Sequence, residues 1–270
     1  MRTRLLLLTT IVALLAASPA AAADKTQYYL SLGDSLAQGY QPIGGPWSPL
    51  GFPGYNQGYA DQLLKLERGR YEQLRLVKLG CGGETTTTMI AGSPWCGVGF
   101  AAGSQLGAAE SFLRAHRGEV AFVTLDIGGN DVLSPTGGGV AAIQANLPAI
   151  LGALRAAAGP DVPIVGMSYY NPSFAEWFGD PGSLQDRVDA LVAFNDLLEG
   201  IYAAAGDPVA DVESAFSATD TTVVDGLPLD VLRVCQWTWL CVPPPHGPDL
   251  HPNAAGYGVI AQAFLRALTG

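Results

Sequence analysis

A serine near the start of the chain is placed where a nucleophile could be presented. Ser35 follows the apolar run Tyr28–Leu32 through Gly33 and Asp34. Glycine allows the tight turn that would bring a serine hydroxyl to the end of a strand. The serine's own main-chain N–H, at the start of a helix, could then help to hold an oxyanion. A Gly-Asp-Ser sequence is also typical of an ordinary helix cap, so this motif alone leaves both interpretations open.

Histidine is rare in this sequence, which narrows the choice of a general base. His116 lies at a charged helix end, which is typical of a solvated side chain, and His246 lies in a proline-rich loop. His251 stands just before the last predicted helix and close to Asp249. We therefore predict that His251 is the general base that activates Ser35.

Two further turns, each directly after a predicted strand, carry groups that could bind an oxyanion. Gly83 in the first turn allows a close approach of the backbone and offers an N–H, and Asn130 in the second offers a side-chain amide. Asp126 and Asp131 flank the second turn and are typical of buried hydrogen bonding that shapes a loop. Each of these glycine-rich turns, taken alone, is more often a structural turn than part of an oxyanion hole. Three such turns at successive strand ends favour one common site.

The elements that would position these residues alternate between short apolar runs and helical patterns. This alternation predicts an α/β domain over residues 24–270, with a parallel sheet covered on both faces and ligands at the carboxyl ends of its strands. The predicted strands, all taken as buried, are Tyr28–Leu32, Leu74–Leu79, Val120–Ile127, Val162–Met167 and Val209–Val212. The predicted helices are Tyr59–Arg68, Ser104–Arg117, Val140–Ala158, Leu184–Ala205 and Ala254–Leu268.

The first 23 residues are typical of a secretory signal peptide. Arg2 and Arg4 are followed by an apolar run, Leu5–Leu15, and by small residues ending at Ala23. A membrane anchor is the alternative, but the run is short for a membrane span of about 20 residues. No later stretch is predicted to span a membrane. We expect a soluble, secreted protein that begins near Asp24.

Charge and cysteine content limit the partners and the compartment. The net charge of −10 argues against binding to nucleic acid or to anionic membrane surfaces. An even number of cysteines in an exported chain predicts disulfides, with three possible pairings. The local pairing, Cys81 with Cys96 and Cys235 with Cys241, closes two short loops. A zinc site is the rival interpretation, but no Cys-x-x-Cys occurs.

Four short blocks, in order along the chain, together resemble the signature blocks of the SGNH (GDSL-type) hydrolases. They are Gly33-Asp34-Ser35-Leu36, the glycine of Gly82-Gly83-Glu84-Thr85, Gly128-Gly129-Asn130-Asp131 and Asp249-Leu250-His251-Pro252. The segment Trp237–Cys241 is similar to exported actinobacterial members. The resemblance implies a three-layer α/β/α, flavodoxin-like fold with a central parallel sheet of about five strands. It also implies ester hydrolysis without a metal or organic cofactor.

The resemblance implies acyl transfer to serine and then to water. Ser35 would attack the ester carbonyl as His251 takes its proton, and the oxyanion would be held by the N–H groups of Ser35 and Gly83 and the amide of Asn130.

One position departs from the family pattern. The family usually places its acid three residues before the histidine, where this chain has Pro248, whereas Asp249 is two residues before it. Either the local backbone compensates, or a main-chain carbonyl orients His251. We predict Asp249 as the third catalytic residue.

The natural ester is left open by the sequence. Aromatic loops with Trp47, Trp95, Trp237 and Trp239 suggest an apolar acyl or aryl pocket, or else side-chain packing beneath long loops. We expect a monomeric esterase or lipase that acts on a small-molecule or lipid ester. A carbohydrate O-acetylesterase acting on an acetylated glycan is the alternative, and a non-catalytic glycan- or lipid-binding module is the alternative of another class.

Three other enzyme classes lose their usual sequence support. The chain has no Gly-x-Ser-x-Gly motif, which is typical of the α/β-hydrolase fold. It also has no Walker motif for phosphoryl transfer and no His-Glu-x-x-His motif for zinc proteolysis.

Overall fold

A computed structural model describes residues 26–42, 56–94, 96 and 99–270 of the chain. The predicted signal peptide lies outside the described residues. So do Trp47 and Trp95 of the aromatic loops.

A five-stranded parallel sheet forms the centre of the fold. Its order, β2-β1-β3-β4-β5, is the flavodoxin-like order and confirms the predicted fold class. The order reverses between β1 and β3, where a crevice opens at the carboxyl ends of the strands. The strands are β1 (Gln27–Gly33), β2 (Leu74–Lys78), β3 (Val120–Asp126), β4 (Ile164–Met167) and β5 (Val209–Ala210).

The edge strand β2 corrects one prediction. Its residues are partly exposed rather than buried, because β2 pairs only with β1 and one of its edges has no neighbouring strand. The central strands β1, β3 and β4 are largely buried, as their unbroken apolar runs predict.

Helices cover the sheet, and the five long ones lie within two residues of their predicted bounds. Helix α2 packs against α10, while α4, α6 and α7 pack in series. The helices are α1 (Ser35–Gln38), α2 (Tyr59–Glu67), α3 (Thr86–Ala91), α4 (Gln105–Ala115), α5 (Gly129–Leu133), α6 (Gly139–Ala158), α7 (Leu184–Ala205), α8 (Val212–Ala215), α9 (Leu229–Trp237) and α10 (Ala254–Thr269). Two 3₁₀ helices span Pro172–Phe178 and Pro181–Ser183.

Two small antiparallel pairs lie outside the main sheet. One joins β6 (Val223–Val224) to β7 (Leu227–Pro228). The other joins β8 (Thr238–Trp239) to β9 (Asp249–Pro252), which carries the predicted catalytic histidine. Neither pair is predicted from the sequence, because strands of two to four residues carry almost no periodicity.

Helix α6 is long and apolar enough, by length and composition alone, to cross a membrane. The prediction that no later stretch has this character was therefore wrong. Its buried side chains Ile143, Leu147, Ile150 and Leu154 recur at helical spacing, and the helix packs against α3, α4, α5 and α7. Packing within the fold accounts for its apolar composition.

The four cysteines form two disulfides, Cys81–Cys96 and Cys235–Cys241, which is the local pairing favoured above. Among the described residues, one group of three potential metal ligands lies close together, namely Cys81, Glu84 and Cys96. Because its two sulfurs are bonded to each other, they do not provide the thiolates that a zinc site uses.

Candidate active site

The turn after β1 positions Ser35. Gly33 has φ of +132°, and a Cβ atom there would lie 2.1 Å from the main-chain oxygen of Asp126, so the position requires glycine. Asp34 caps helix α1 by accepting a hydrogen bond of 2.9 Å from the N–H of Leu36. Ser35 is therefore the first residue of a helix, at the carboxyl end of a central strand, as predicted.

Strand β9 positions His251 at the opposite end of the chain. Thr238 on β8 pairs with Pro252. Asn253 caps the following helix α10 by accepting hydrogen bonds from two main-chain N–H groups. The hydroxyl of Tyr170 donates a hydrogen bond of 2.7 Å to the carbonyl of Leu250. These contacts hold the backbone on both sides of the histidine.

Ser35, His251 and Asp249 form a continuous chain of hydrogen-bonding groups. The Oγ of Ser35 lies 2.7 Å from Nε2 of His251. Nδ1 of the same ring lies 2.7 Å from Oδ1 of Asp249. The main-chain N–H of His251 also donates to this Oδ1, at 2.9 Å. Among the described contacts of Nδ1, the partner is thus the Asp249 carboxylate rather than a main-chain carbonyl.

The Asp249 carboxylate remains ionised in this position. Burial by itself would raise its pKa, but the hydrogen bond and charge of His251 and the main-chain N–H of that residue lower the pKa below its ordinary value of 3.8. An ionised carboxylate on Nδ1 favours the tautomer in which Nε2 can accept a proton from Ser35.

The predicted oxyanion donors differ in their placement. Asn130 lines the same cleft as Ser35. Its Nδ2 lies 3.0 Å from the carbonyl oxygen of Glu84 and 3.2 Å from Oδ2 of Asp34. Gly83 adjoins Glu84, is exposed, has φ of +78°, and is not among the described residues that line the cleft. Of the two, Asn130 is the one that shares the cleft with Ser35.

A group of buried carboxyl groups lies beneath the nucleophile. Asp34 and Asp126 are hydrogen-bonded to each other through their side chains, and Tyr59 donates to Asp126 at 2.6 Å. Burial, and then the charge of Asp34, raises the pKa of Asp126 well above 3.8. Burial also raises the pKa of Asp34, whose carboxylate accepts from the N–H of Leu36 and the amide of Asn130. Asp131 accepts two bonds from Thr86, the structural role expected for it.

Sequence reasoning missed Gln105, which ties two of the site's loops together. Its Oε1 accepts from the N–H of Gly33 at 2.7 Å, and its Nε2 donates to the carbonyl of Gly33 at 2.9 Å and to the carboxylate of Glu84 at 3.0 Å. The available signal is its position on the buried face of α4, in line with Ala109 and Leu113. A glutamine on such a face requires buried partners.

The cleft beside Ser35 is small, about 40 Å³, and is lined by Asn130, Tyr169, Tyr170 and Leu250 among others. The tryptophans Trp237 and Trp239, suggested above as possible pocket residues, are not among its described lining residues. Trp237 instead packs against Phe216 with ring centroids 5.1 Å apart. For Trp237, this contact favours packing within the fold over a place in the cleft.

Comparison with known families decides the class of enzyme. The model of the GDSL-like lipase/acylhydrolase family matches residues 31–259, which include all four blocks of the site. The chain belongs to this family. This GDSL-like hydrolase is accordingly a carboxylic ester hydrolase.

Solved structures share the fold of this GDSL-like hydrolase at low sequence identity. Axe2, an acetylxylan esterase from Geobacillus stearothermophilus, is 19% identical with a TM-score of 0.57, covering 92% of this chain and 96% of its own. A putative GDSL-like lipase from Parabacteroides merdae is 15% identical with a TM-score of 0.57, covering 91% and 97%. LAE5, from the metagenome of Lake Arreo in Spain, is 21% identical with a TM-score of 0.54, covering 91% and 96%. No curated protein sequence matches the chain.

Proposed function

We propose that the chain is a secreted serine esterase that cleaves carboxylic esters through an acyl-enzyme on Ser35. The proposal rests on two contacts of 2.7 Å. One joins Oγ of Ser35 to Nε2 of His251, and the other joins Nδ1 of His251 to Oδ1 of Asp249. A serine hydroxyl at this distance from an imidazole, with a carboxylate on the other ring nitrogen, is the arrangement that makes a serine nucleophilic.

The reaction follows from these contacts in two halves. As Ser35 Oγ attacks the ester carbonyl carbon, its proton passes to Nε2 of His251. The tetrahedral intermediate then collapses, the imidazolium returns the proton to the leaving oxygen, and the alcohol departs. In the second half, His251 takes a proton from water, the water oxygen attacks the acyl-Ser35 carbonyl, and the acid is released as the proton returns to Ser35. Asp249 stabilises the imidazolium in both halves.

The oxyanion is stabilised by N–H donors around Ser35. The main-chain N–H of Ser35 lies at the start of α1, and the Asn130 amide lies in the same cleft. Gly83 is the third donor in this proposal. Donors that are already fixed before the reaction stabilise the developing charge without reorganisation. Asp34 and the Glu84 carbonyl hold the Asn130 amide in place but occupy both of its N–H groups in the free protein, so one of these bonds gives way to, or is shared with, the oxyanion in the intermediate.

Secretion is supported by two independent features. The sequence of the first 23 residues is typical of a signal peptide. In addition, two disulfides are typical of proteins that fold in an oxidising compartment.

An acetylated glycan is the second candidate substrate. The cleft directly at Ser35, about 40 Å³, has room for a short acyl group. Axe2, which shares the fold, is described as an acetylxylan esterase. A carbohydrate O-acetylesterase would show its highest activity on acetyl esters and would release acetate from acetylated glycans.

Active-site labelling tests the proposal directly. A fluorophosphonate probe reacts only with an activated serine, so the purified protein should be labelled and should hydrolyse p-nitrophenyl acetate. Ser35→Ala should abolish both, whereas the exposed-site control Ser214→Ala should change neither. A folded protein that takes up no probe and turns over no ester would instead support a non-catalytic binding module.

A further inference from the structure

A larger cavity adjoins the Ser35 cleft. It has a volume of about 590 Å³ and lies between the α5–α6 turn, the segment after β4, and α7. Gly129, Leu133, Tyr169, Tyr170 and Pro172 line both the cleft and this cavity. The two spaces are therefore neighbours that share one wall, and we refer to the larger one as the α7 groove.

The α7 groove is apolar. No charged side chain is among its described lining residues. The rings of Tyr169 and Phe194 pack at its base with centroids 5.5 Å apart. The polar groups of Asn171 and Ser173 are occupied by local hydrogen bonds, since Oδ1 of Asn171 accepts from both the N–H and the hydroxyl of Ser173.

Large apolar side chains are exposed at the rim of the groove. Val132, Leu133 and Val140 are 41%, 55% and 46% exposed. They are three of the nine large hydrophobic side chains that are exposed in the described part of the chain, and all three line this cavity. A cluster of exposed apolar side chains marks a ligand-binding or interaction site more often than a single one does.

The direction of the groove indicates which part of an ester it receives. His251 must reach the leaving oxygen in order to protonate it, so the alcohol lies on the side of β9. Gly129, next to Asn130 in the chain, lines the α7 groove, whereas Leu250 of β9 lines only the cleft and no described residue of β9 lines the groove. The group that extends into the groove is then the acyl chain.

We propose that the α7 groove binds the acyl chain of the substrate, so that the natural esters are those of medium-length or longer fatty acids. This inference rests on the proposed serine esterase function. The volume lies in the range of small-molecule sites, and an acetyl group would leave the groove empty. Each methylene that enters the groove should raise kcat/KM by up to about fourfold, the value for complete burial, until the groove is filled.

Filling the groove with a large side chain tests the inference. Ala193 lines the groove on the exposed side of α7, so Ala193→Trp adds bulk without disturbing the core. Ala203→Trp is the matched control, because Ala203 is exposed on the same helix and does not line the groove. The measurement is kcat/KM for p-nitrophenyl acetate, butyrate, octanoate and dodecanoate with each protein.

The wild-type protein and Ala203→Trp should hydrolyse octanoate with a kcat/KM about tenfold or more above that for acetate. Ala193→Trp should lose this preference while its acetate rate stays within about twofold of the wild type. A wild-type profile that peaks at acetate would overturn the inference, as would equal losses on every ester in Ala193→Trp. Failure of the underlying function is distinguishable, because no ester would then be hydrolysed and no probe would label Ser35.

A second ester series separates the acyl chain from the alcohol. With acetate held constant and the alcohol lengthened from ethyl to octyl, the rate should change little and should respond equally in both variants. A rise with alcohol length that is lost only in Ala193→Trp would place the alcohol in the groove and contradict the inference.

Discussion

Asp249 and His251 are joined through a single carboxylate oxygen. Oδ1 of Asp249 lies 2.7 Å from the Nδ1 of His251 and 2.9 Å from the main-chain nitrogen of the same residue. In this strand the side chain of Asp249 folds over its own backbone and contacts both the ring and the main-chain nitrogen of His251. This contact explains how an acid two positions before the histidine, rather than three, can orient the imidazole.

Asp249→Asn should lower kcat for ester hydrolysis by about 10⁴-fold with little change in KM. The amide keeps the size of the side chain but removes the charge that stabilises the imidazolium and selects its tautomer. Assays with p-nitrophenyl acetate provide the measurement, and the exposed Asp161→Asn is the control. A loss of less than about tenfold would mean that Asp249 does not orient His251.

Asn130→Ala should lower kcat by about 10²- to 10³-fold, because it removes an amide donor from the cleft beside Ser35. Asn146→Ala is a suitable control, since its amide also braces a neighbouring segment, the start of α3 at Thr86 and Thr87, but it does not line the cleft. If both variants lost activity equally, loop bracing rather than oxyanion binding would be the role of Asn130.

Gln105→Leu should destabilise the protein by about 1–3 kcal/mol, because it leaves the buried N–H of Gly33 without a partner. The carbonyl of Gly33 loses one of its two hydrogen bonds but still accepts from the N–H of Cys81 at 3.0 Å. Urea denaturation followed by tryptophan fluorescence measures the change. Replacement of the exposed Gln185 by leucine should have little effect on the same measurement.

Asp126→Asn should change how stability depends on pH. In the folded protein, burial holds the pKa of Asp126 well above the 3.8 of an ordinary aspartate. As pH rises above this value, the unfolded chain loses its proton while the folded chain keeps it, so the free energy of unfolding falls until the folded pKa is passed. Because asparagine does not titrate, the free energy of unfolding of the variant should fall less steeply as the pH rises.

Urea unfolding at intervals from about pH 4 to about pH 8 gives the slopes for both proteins. The exposed Asp161→Asn should retain the slope of the wild type. Indistinguishable slopes for the wild type and Asp126→Asn would show that Asp126 is ionised in the folded protein.

The sheet and the long helices were predictable because their signals are local. Apolar runs such as Val120–Ile127 and helical spacing such as that of Leu184–Ala205 require only neighbouring residues. The positions of Ser35 and His251 were also predictable, since each stands at the boundary of such an element. The short helices α1, α3 and α5, and the β8–β9 pair, contain too few residues to show a period.

Features that depend on distant contacts were beyond sequence reasoning. Gln105 matters only because the topology brings α4 beneath the turn that contains Gly33. The α7 groove combines the α5–α6 turn, the segment after β4 and one face of α7, and no sequence pattern links the three. Whether β2 is buried depended on its place at the sheet edge, which its apolar run does not reveal.

The separation of nucleophile and base along the chain has a consequence during biosynthesis. Ser35 and His251 are 216 residues apart, and the base lies on the last strand, directly before the last helix. A ribosome therefore completes the strand order from β1 to β5 before it makes His251. Under the proposed mechanism, a nascent or prematurely terminated chain that lacks β9 has the serine but not its general base, so the activity arises only when translation has passed β9 and the chain has folded.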